Sequence, residues 1–129
     1  MDLNNLKPTR AEEGAVMEVL HPDTEEVIEG MTVTLLGQDS SVFKNLKRRK
    51  QNAMLTRMSK GKKAVSMDAD TLERDALDEV VALTVDWKGF ELDGKKLSFN
   101  EENARMVYSE HEWLMQQAQE FVANRSNFF

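Results

Sequence analysis

The chain contains no cysteine, which excludes disulfides, thiolate nucleophiles, iron–sulfur clusters and structural zinc of the usual thiolate-bound kind. No stretch approaches the roughly 20 consecutive apolar residues that span a bilayer. The opening MDLNNLKPTR lacks the apolar core of a secretory signal, so a cytoplasmic address is expected. Histidine is scarce: His21 stands beside Pro22 and His111 between Glu110 and Glu112, neither with the spacing of a metal site or a catalytic triad. Gly61-Lys62-Lys63 lacks the upstream glycine and the following serine or threonine of a phosphate loop, which argues against nucleotide binding. Carboxylates such as Asp86, Glu91 and Asp93 could serve a metal-dependent hydrolase only if the fold gathered them into a cleft, and solvated surface acids are the plainer reading.

What is present fits one folded domain. The chain has 129 residues, 40% apolar and 31% charged, enough for a single hydrophobic core and unlike the composition of a disordered chain. Its charge is unevenly spread. Between Lys44 and Lys63 stand nine basic residues and no acid, whereas the remainder sets eight bases against all twenty-three acids, a balance of −15 within a net charge of −6. A molecule with opposite poles can associate head to tail.

Along the chain, residues 1–13 read as a flexible N-terminal arm, and 14–129 as the domain. AVMEVL and MTVTLLG, separated by a turn at Pro22-Asp23, read as strands of an antiparallel meander; Met31, Val33 and Leu35 alternate with Thr32 and Thr34, as on a half-buried strand. Asp39, Ser40 and Ser41 stand where a helix is capped, and Phe43, Leu46, Lys50, Ala53, Met54 and Met58 follow at spacings of three and four, giving a basic amphipathic helix that stops at Gly61. Asp68 and Asp70 open a second helix, Asp70 with Glu73 having the spacing of a capping box, and Leu72, Ala76, Val80 and Leu83 carry its stripe to about Val85. DWKGFELDGKKLSF reads as a hairpin turning at Asp93-Gly94. Asn100 caps a short helix, and His111 to Asn124 suits another. The expected fold is therefore α+β, mostly helical, with an N-terminal meander and a small hairpin. Of the eight methionines, Met17, Met31, Met54 and Met58 are expected to face the core.

The C-terminal stretch from about residue 80 to 129 has a further pattern. Trp87-Lys88-Gly89 leads into Asp93-Gly94, then come Phe99 with Asn103-Ala104, Trp113-Leu114 and the ending Phe121-Val122-Ala123-Asn124-Arg125-Ser126-Asn127-Phe128. In this it resembles the tail assembly chaperones of long-tailed bacteriophages. The resemblance implies a non-enzymatic protein of the infected host cytoplasm, absent from the mature virion, without cofactor or metal. Such a protein coats the tape-measure protein, keeps its apolar helical length soluble and recruits tail tube subunits. In many relatives a frameshifted longer product contacts the tube protein, and this chain would be the shorter product.

The family supplies no catalytic motif, so candidate residues come from chemistry alone. Lys47, Arg48, Arg49 and Lys50 are electrostatic candidates for partner binding or self-association, against the plainer reading of a solvated helix face. Trp87, Trp113, Phe128 and Phe129 are the apolar candidates; both tryptophans could instead anchor the core. The alternative function is a small nucleic-acid-binding regulator acting through residues 44–63, since clustered Lys and Arg release counterions from phosphate. Phe43, directly before that block, is its one neighbouring aromatic, fewer than a base-stacking surface uses, and the acidic remainder repels phosphate, so nucleic acid ranks second.

Overall fold

A computed structural model describes residues 1–59 and 69–129 and shows a single-domain α+β fold. Strand β1 (Ala15–Leu20) buries Ala15, Met17 and Val19 and exposes Val16 and Glu18, the period-two pattern of a sheet covered on one face. Strand β2 (Val27–Leu35) runs antiparallel to it, with Met17 opposite Val33 and Val16 opposite Thr34. The expected alternation from Met31 to Leu35 holds, Val33 and Leu35 being fully buried while Thr32 and Thr34 turn outward.

The third strand comes from much further along the chain. Helices α2 (Ser41–Ser59) and α3 (Ala69–Leu83) follow β2, and Thr84–Lys88 then forms β3 along the other side of β2, in the order β1-β2-β3. Sequence periodicity carries the second helix to about Val85; the helix in fact stops at Leu83, and the strand begins at the next residue. Thr84 makes the break. Its Oγ1 donates to the Val80 carbonyl at 2.7 Å and lies 2.9 Å from the Tyr108 hydroxyl, and β-branched Thr84 and Val85 suit the extended backbone. β3 pairs with β2 through Val33 opposite Trp87.

Helices α4 (Glu101–Glu110) and α5 (Glu112–Ala123) complete the layer over the buried sheet face. The core joins Met17, Val33, Leu35 and Trp87 of the sheet to Val80 and Leu83 of α3, Tyr108 of α4 and Leu114 and Ala118 of α5. Asn100 caps α4 as expected, accepting from the Asn103 amide at 2.7 Å. Asp70 does not cap α3: the helix already begins at Ala69, which places Asp70 in its first turn, where a carboxylate still opposes the positive end of the helix dipole. The helix stop at Gly61, the loop bases Lys60, Lys62 and Lys63, and the cap at Asp68 lie outside the described residues.

The short hairpin pairs β4 (Glu91–Leu92) with β5 (Lys95–Lys96). Its turn has Asp93 at φ 54° and Gly94 at φ 77°, both left-handed as a two-residue type I′ turn requires. Gly89 (φ 79°) sits where the chain leaves β3, and a Cβ there would stand 2.3 Å from the Gly30 carbonyl oxygen. Only glycine fits that approach.

Residues 1–13 carry more structure than a flexible arm. Leu3–Leu6 form a 3₁₀ turn and Arg10–Glu13 a helical turn, α1, whose Ala11 is buried. The last residues, Arg125–Phe128, form another 3₁₀ turn that buries Phe128 beside Ala11. The two ends meet because Gly37 leaves room: a Cβ on it would lie 2.9 Å from that of Ala11 and 3.0 Å from the Phe128 ring.

Candidate functional site

The basic helix α2 is the element whose chemistry the fold least consumes. Its root is held from three sides. Ser40, fully buried, donates to the Gly37 carbonyl at 2.6 Å and accepts from the Phe43 amide at 3.2 Å, the expected N-cap arrangement. Glu12 of α1 accepts from the Ser41 backbone N–H at 2.8 Å and from the Ser41 hydroxyl. These two bonds, the side-chain one first, hold the Glu12 carboxyl below its ordinary pKa. Arg125 reaches Asp39 at 3.1 Å. Val42 and Phe43 then pack on the core.

Beyond that root the helix outruns the body of the protein. Leu46 and Lys50 are half-buried, and the Lys50 ammonium donates to the Asp75 carbonyl oxygen of α3 at 3.4 Å. Further on, Met54 is 40% exposed, Leu55 62% and Met58 59%. The expectation that Met54 and Met58 fill the core fails here: α2 has 19 residues, about 28 Å at 1.5 Å per residue, and only Val42 and Phe43 in its first turn pack on the core. Lys44, Arg48, Gln51, Leu55 and Met58 follow one another at alternating intervals of four and three and are all exposed. That spacing makes a straight seam on the side away from Phe43 and Lys50. The seam is cationic in its first half and apolar in its second.

The electrostatic candidates divide accordingly. Lys47, Arg48 and Arg49 are exposed and have no acidic partner among the described residues, whereas Lys50 is engaged with α3. The aromatic candidates do not converge. Trp87 is 6% exposed, stacks on Phe90 at 4.5 Å, meets Phe99 edge-on at 5.1 Å and donates its indole N–H to the Leu97 carbonyl at 2.9 Å. It fastens the hairpin to the sheet and offers nothing to a partner. Phe128 is 1% exposed against Phe121, which corrects its place among the surface candidates. Its burial follows from the gap left by Gly37 and Ala11. Trp113 is half-buried, edge-on to His111 at 6.2 Å. Phe129 alone of the four is largely open, at 53%.

A second surface was not legible in the sequence. Between the first half of α3 and the facing sides of α4 and α5 lies an open groove of about 670 Å³, with Leu72, Ala76 and Met115 as apolar lining, Asp70, Glu73 and Glu112 as acids and Arg74 as a base. Tyr108 closes its floor. Burial pushes the Tyr108 hydroxyl up to about 12, opposed by its bond with Thr84, so it remains a neutral phenol there. The groove residues come from three helices, and no local spacing in the chain could announce them.

Among the described residues no three His, Asp or Glu side chains are grouped to hold a metal ion, and no helix is long and apolar enough to cross a membrane. Comparison with protein-family models, curated proteins and solved structures gives no match for this chain, so its function is argued from its own surfaces.

Proposed function

We propose that this protein is an assembly chaperone of the kind that serves long-tailed bacteriophages, a binding protein without catalysis that holds the tape-measure protein soluble and self-associates along it. The carrying observation is the outer seam of α2, where Leu55 and Met58 stand more than half exposed on the same helix as cations without an acidic partner among the described residues. A helix that leaves its apolar side chains uncovered after its own core contacts end is a surface for another helix. The C-terminal pattern from Trp87 to Phe128 supports the same reading, as does the separation of basic and acidic surface, which suits repeated copies on an extended client. The place of action on this reading is the host cytoplasm, with the tube protein as a further partner through a longer product.

Co-expression with the tape-measure protein of the same genome tests it. The expected result is a soluble complex that elutes ahead of either component, with the tape-measure protein aggregating when expressed alone. A tape-measure protein that stays insoluble, or elutes apart from the chaperone, refutes the reading.

One observation favours the nucleic-acid alternative: Lys47, Arg48 and Arg49 are exposed without acidic partners among the described residues. That reading expects duplex or single-stranded binding that weakens steeply as salt is raised. It leaves the exposure of Leu55 and Met58 without a purpose, and so stands second.

A further inference from the structure

The structure carries both halves of a complementary pair. The outer seam of α2 has cations at Lys44 and Arg48, with Lys47 beside them, and apolar side chains at Leu55 and Met58. The groove has acids at Asp70, Glu73 and Glu112 and one base, Arg74, around the apolar Leu72 and Met115, so its lining is acidic on balance. Leu72, like Leu55 and Met58, is more than half exposed, at 52%. We infer that the groove of α3, α4 and α5 receives the outer seam of α2 from a second copy of this chain, joining copies head to tail. This deepens the self-association in the function proposed above and rests on that reading for its purpose, though not for its geometry.

Three physical points select this occupant. Pairing α2 with α2 of another copy fails in either direction: parallel, Lys44 and Arg48 meet their own like charges, and antiparallel they meet Leu55 and Met58. Against the groove, each kind of side chain meets its complement, apolar on apolar and cation on acid. Size agrees as well. The helix from Lys44 to Met58, about 11 Å across and about 21 Å long, occupies on the order of 2,000 Å³, more than the groove's 670 Å³. The groove therefore takes the side chains of one seam and not an entire helix. Because the two surfaces differ, the contact is heterologous, and it propagates into a ring or an open filament instead of closing as a two-fold dimer.

Charge reversal with exchange tests the inference on the full-length protein. Lys47→Glu/Arg48→Glu inverts the seam, and Glu73→Lys/Glu112→Lys inverts the groove. Light scattering and sedimentation at low salt should find wild type associated. Each double variant alone should be weakened about a hundredfold in its dissociation constant. An equimolar mixture of the two should regain association, since the inverted seam meets the inverted groove. Glu112 lies in the first turn of α5, so Glu73→Lys alone, remote from that terminus, serves as a second groove variant with a loss of about tenfold. Circular dichroism of each variant reports folding. Wild type that is monomeric at every concentration overturns the inference, as do folded variants that associate like wild type, or a mixture that stays monomeric. Capture of tape-measure protein is scored separately. Monomers that still capture it refute the contact alone, and oligomers that ignore it refute the chaperone reading alone.

Discussion

Gln117 of α5 holds the end of strand β1 as a neighbouring strand would. Its side-chain oxygen accepts from the Leu20 N–H at 3.0 Å, and its NH₂ donates to the Leu20 carbonyl at 2.8 Å. Gln117→Ala removes both partners and leaves two part-buried backbone groups with only intermittent water. At about 1 kcal/mol for each such bond, the cost is about 2 kcal/mol. With an unfolding entropy of about 2.1 cal/mol/K per residue, a chain of this length loses about 7 °C in melting temperature. Gln117→Glu sharpens the test. At neutral pH its carboxylate can still accept from the Leu20 N–H but opposes the Leu20 carbonyl oxygen, so its pKa in the folded state is raised above the unfolded value of about 4.3. A raised carboxyl pKa means that the folded state binds the proton more tightly. The deficit of Gln117→Glu against wild type is therefore largest above the folded pKa and shrinks as pH falls through it toward the unfolded value, where the protonated acid donates as the amide did. Melting curves of the three proteins from pH 7 to pH 4 check both parts. A Gln117→Ala melting temperature within about 2 °C of wild type, or a Gln117→Glu deficit that does not change with pH, refutes the clamp.

Gly89→Ala should cost about 2–4 kcal/mol, since its Cβ meets the Gly30 carbonyl at 2.3 Å on a left-handed backbone; denaturant melts measure it, and a near-neutral result would disprove the close approach of the two glycines. Phe128→Ala should lose about 3–5 kcal/mol by emptying its site between Ala11 and Phe121, while Phe129→Ala, on the open side, should stay within about 0.5 kcal/mol. Equal effects at the two positions would contradict the docking of the C-terminal turn. The lowered pKa of Glu12, caused first by the Ser41 hydroxyl, makes its contribution present above the ordinary value of 4.5 and lost as pH falls through the depressed value. The melting-temperature gap between wild type and Glu12→Ala should accordingly narrow as pH falls below 4.5, and a gap that does not change in acid would remove Glu12 from the cap of α2.

Local signals in the sequence carried the elements whose causes are local. The alternation from Met31 to Leu35, the cap at Ser40, the cap at Asn100 and the Asp93-Gly94 turn each act within a few residues, and each is found where the chain indicates it. β3 was hidden because Ala82 and Leu83 continue a helical stripe and nothing in Thr84-Val85 announces that β2 has a free edge some fifty residues earlier. The decision is tertiary. The reading of Met54 and Met58 as core erred for a related reason: periodicity shows that a helix has an apolar side, not where the partner on that side ends. Composition did locate the open cations of α2, Lys47, Arg48 and Arg49, but the acidic groove draws on residues from Asp70 to Gln119 that only the fold brings together.

The two edges of the sheet bear on which kind of partner the protein can take. At β1 the Leu20 backbone is occupied by Gln117. At β3, which pairs on one side only, the carboxylate of Asp86 accepts from the Trp87 N–H at 2.9 Å, so a strand added there would meet a negative charge. Edges stopped by side chains resist pairing with another chain. Recognition by strand addition is thereby disfavoured at these two positions, while α2 keeps a continuous uncovered seam and α3 an uncovered groove. An associating partner is consequently expected to be helical, and the protein itself presents one such helix. On the function proposed above, assembly would therefore use the uncovered seam and groove of the helices in preference to these edge positions.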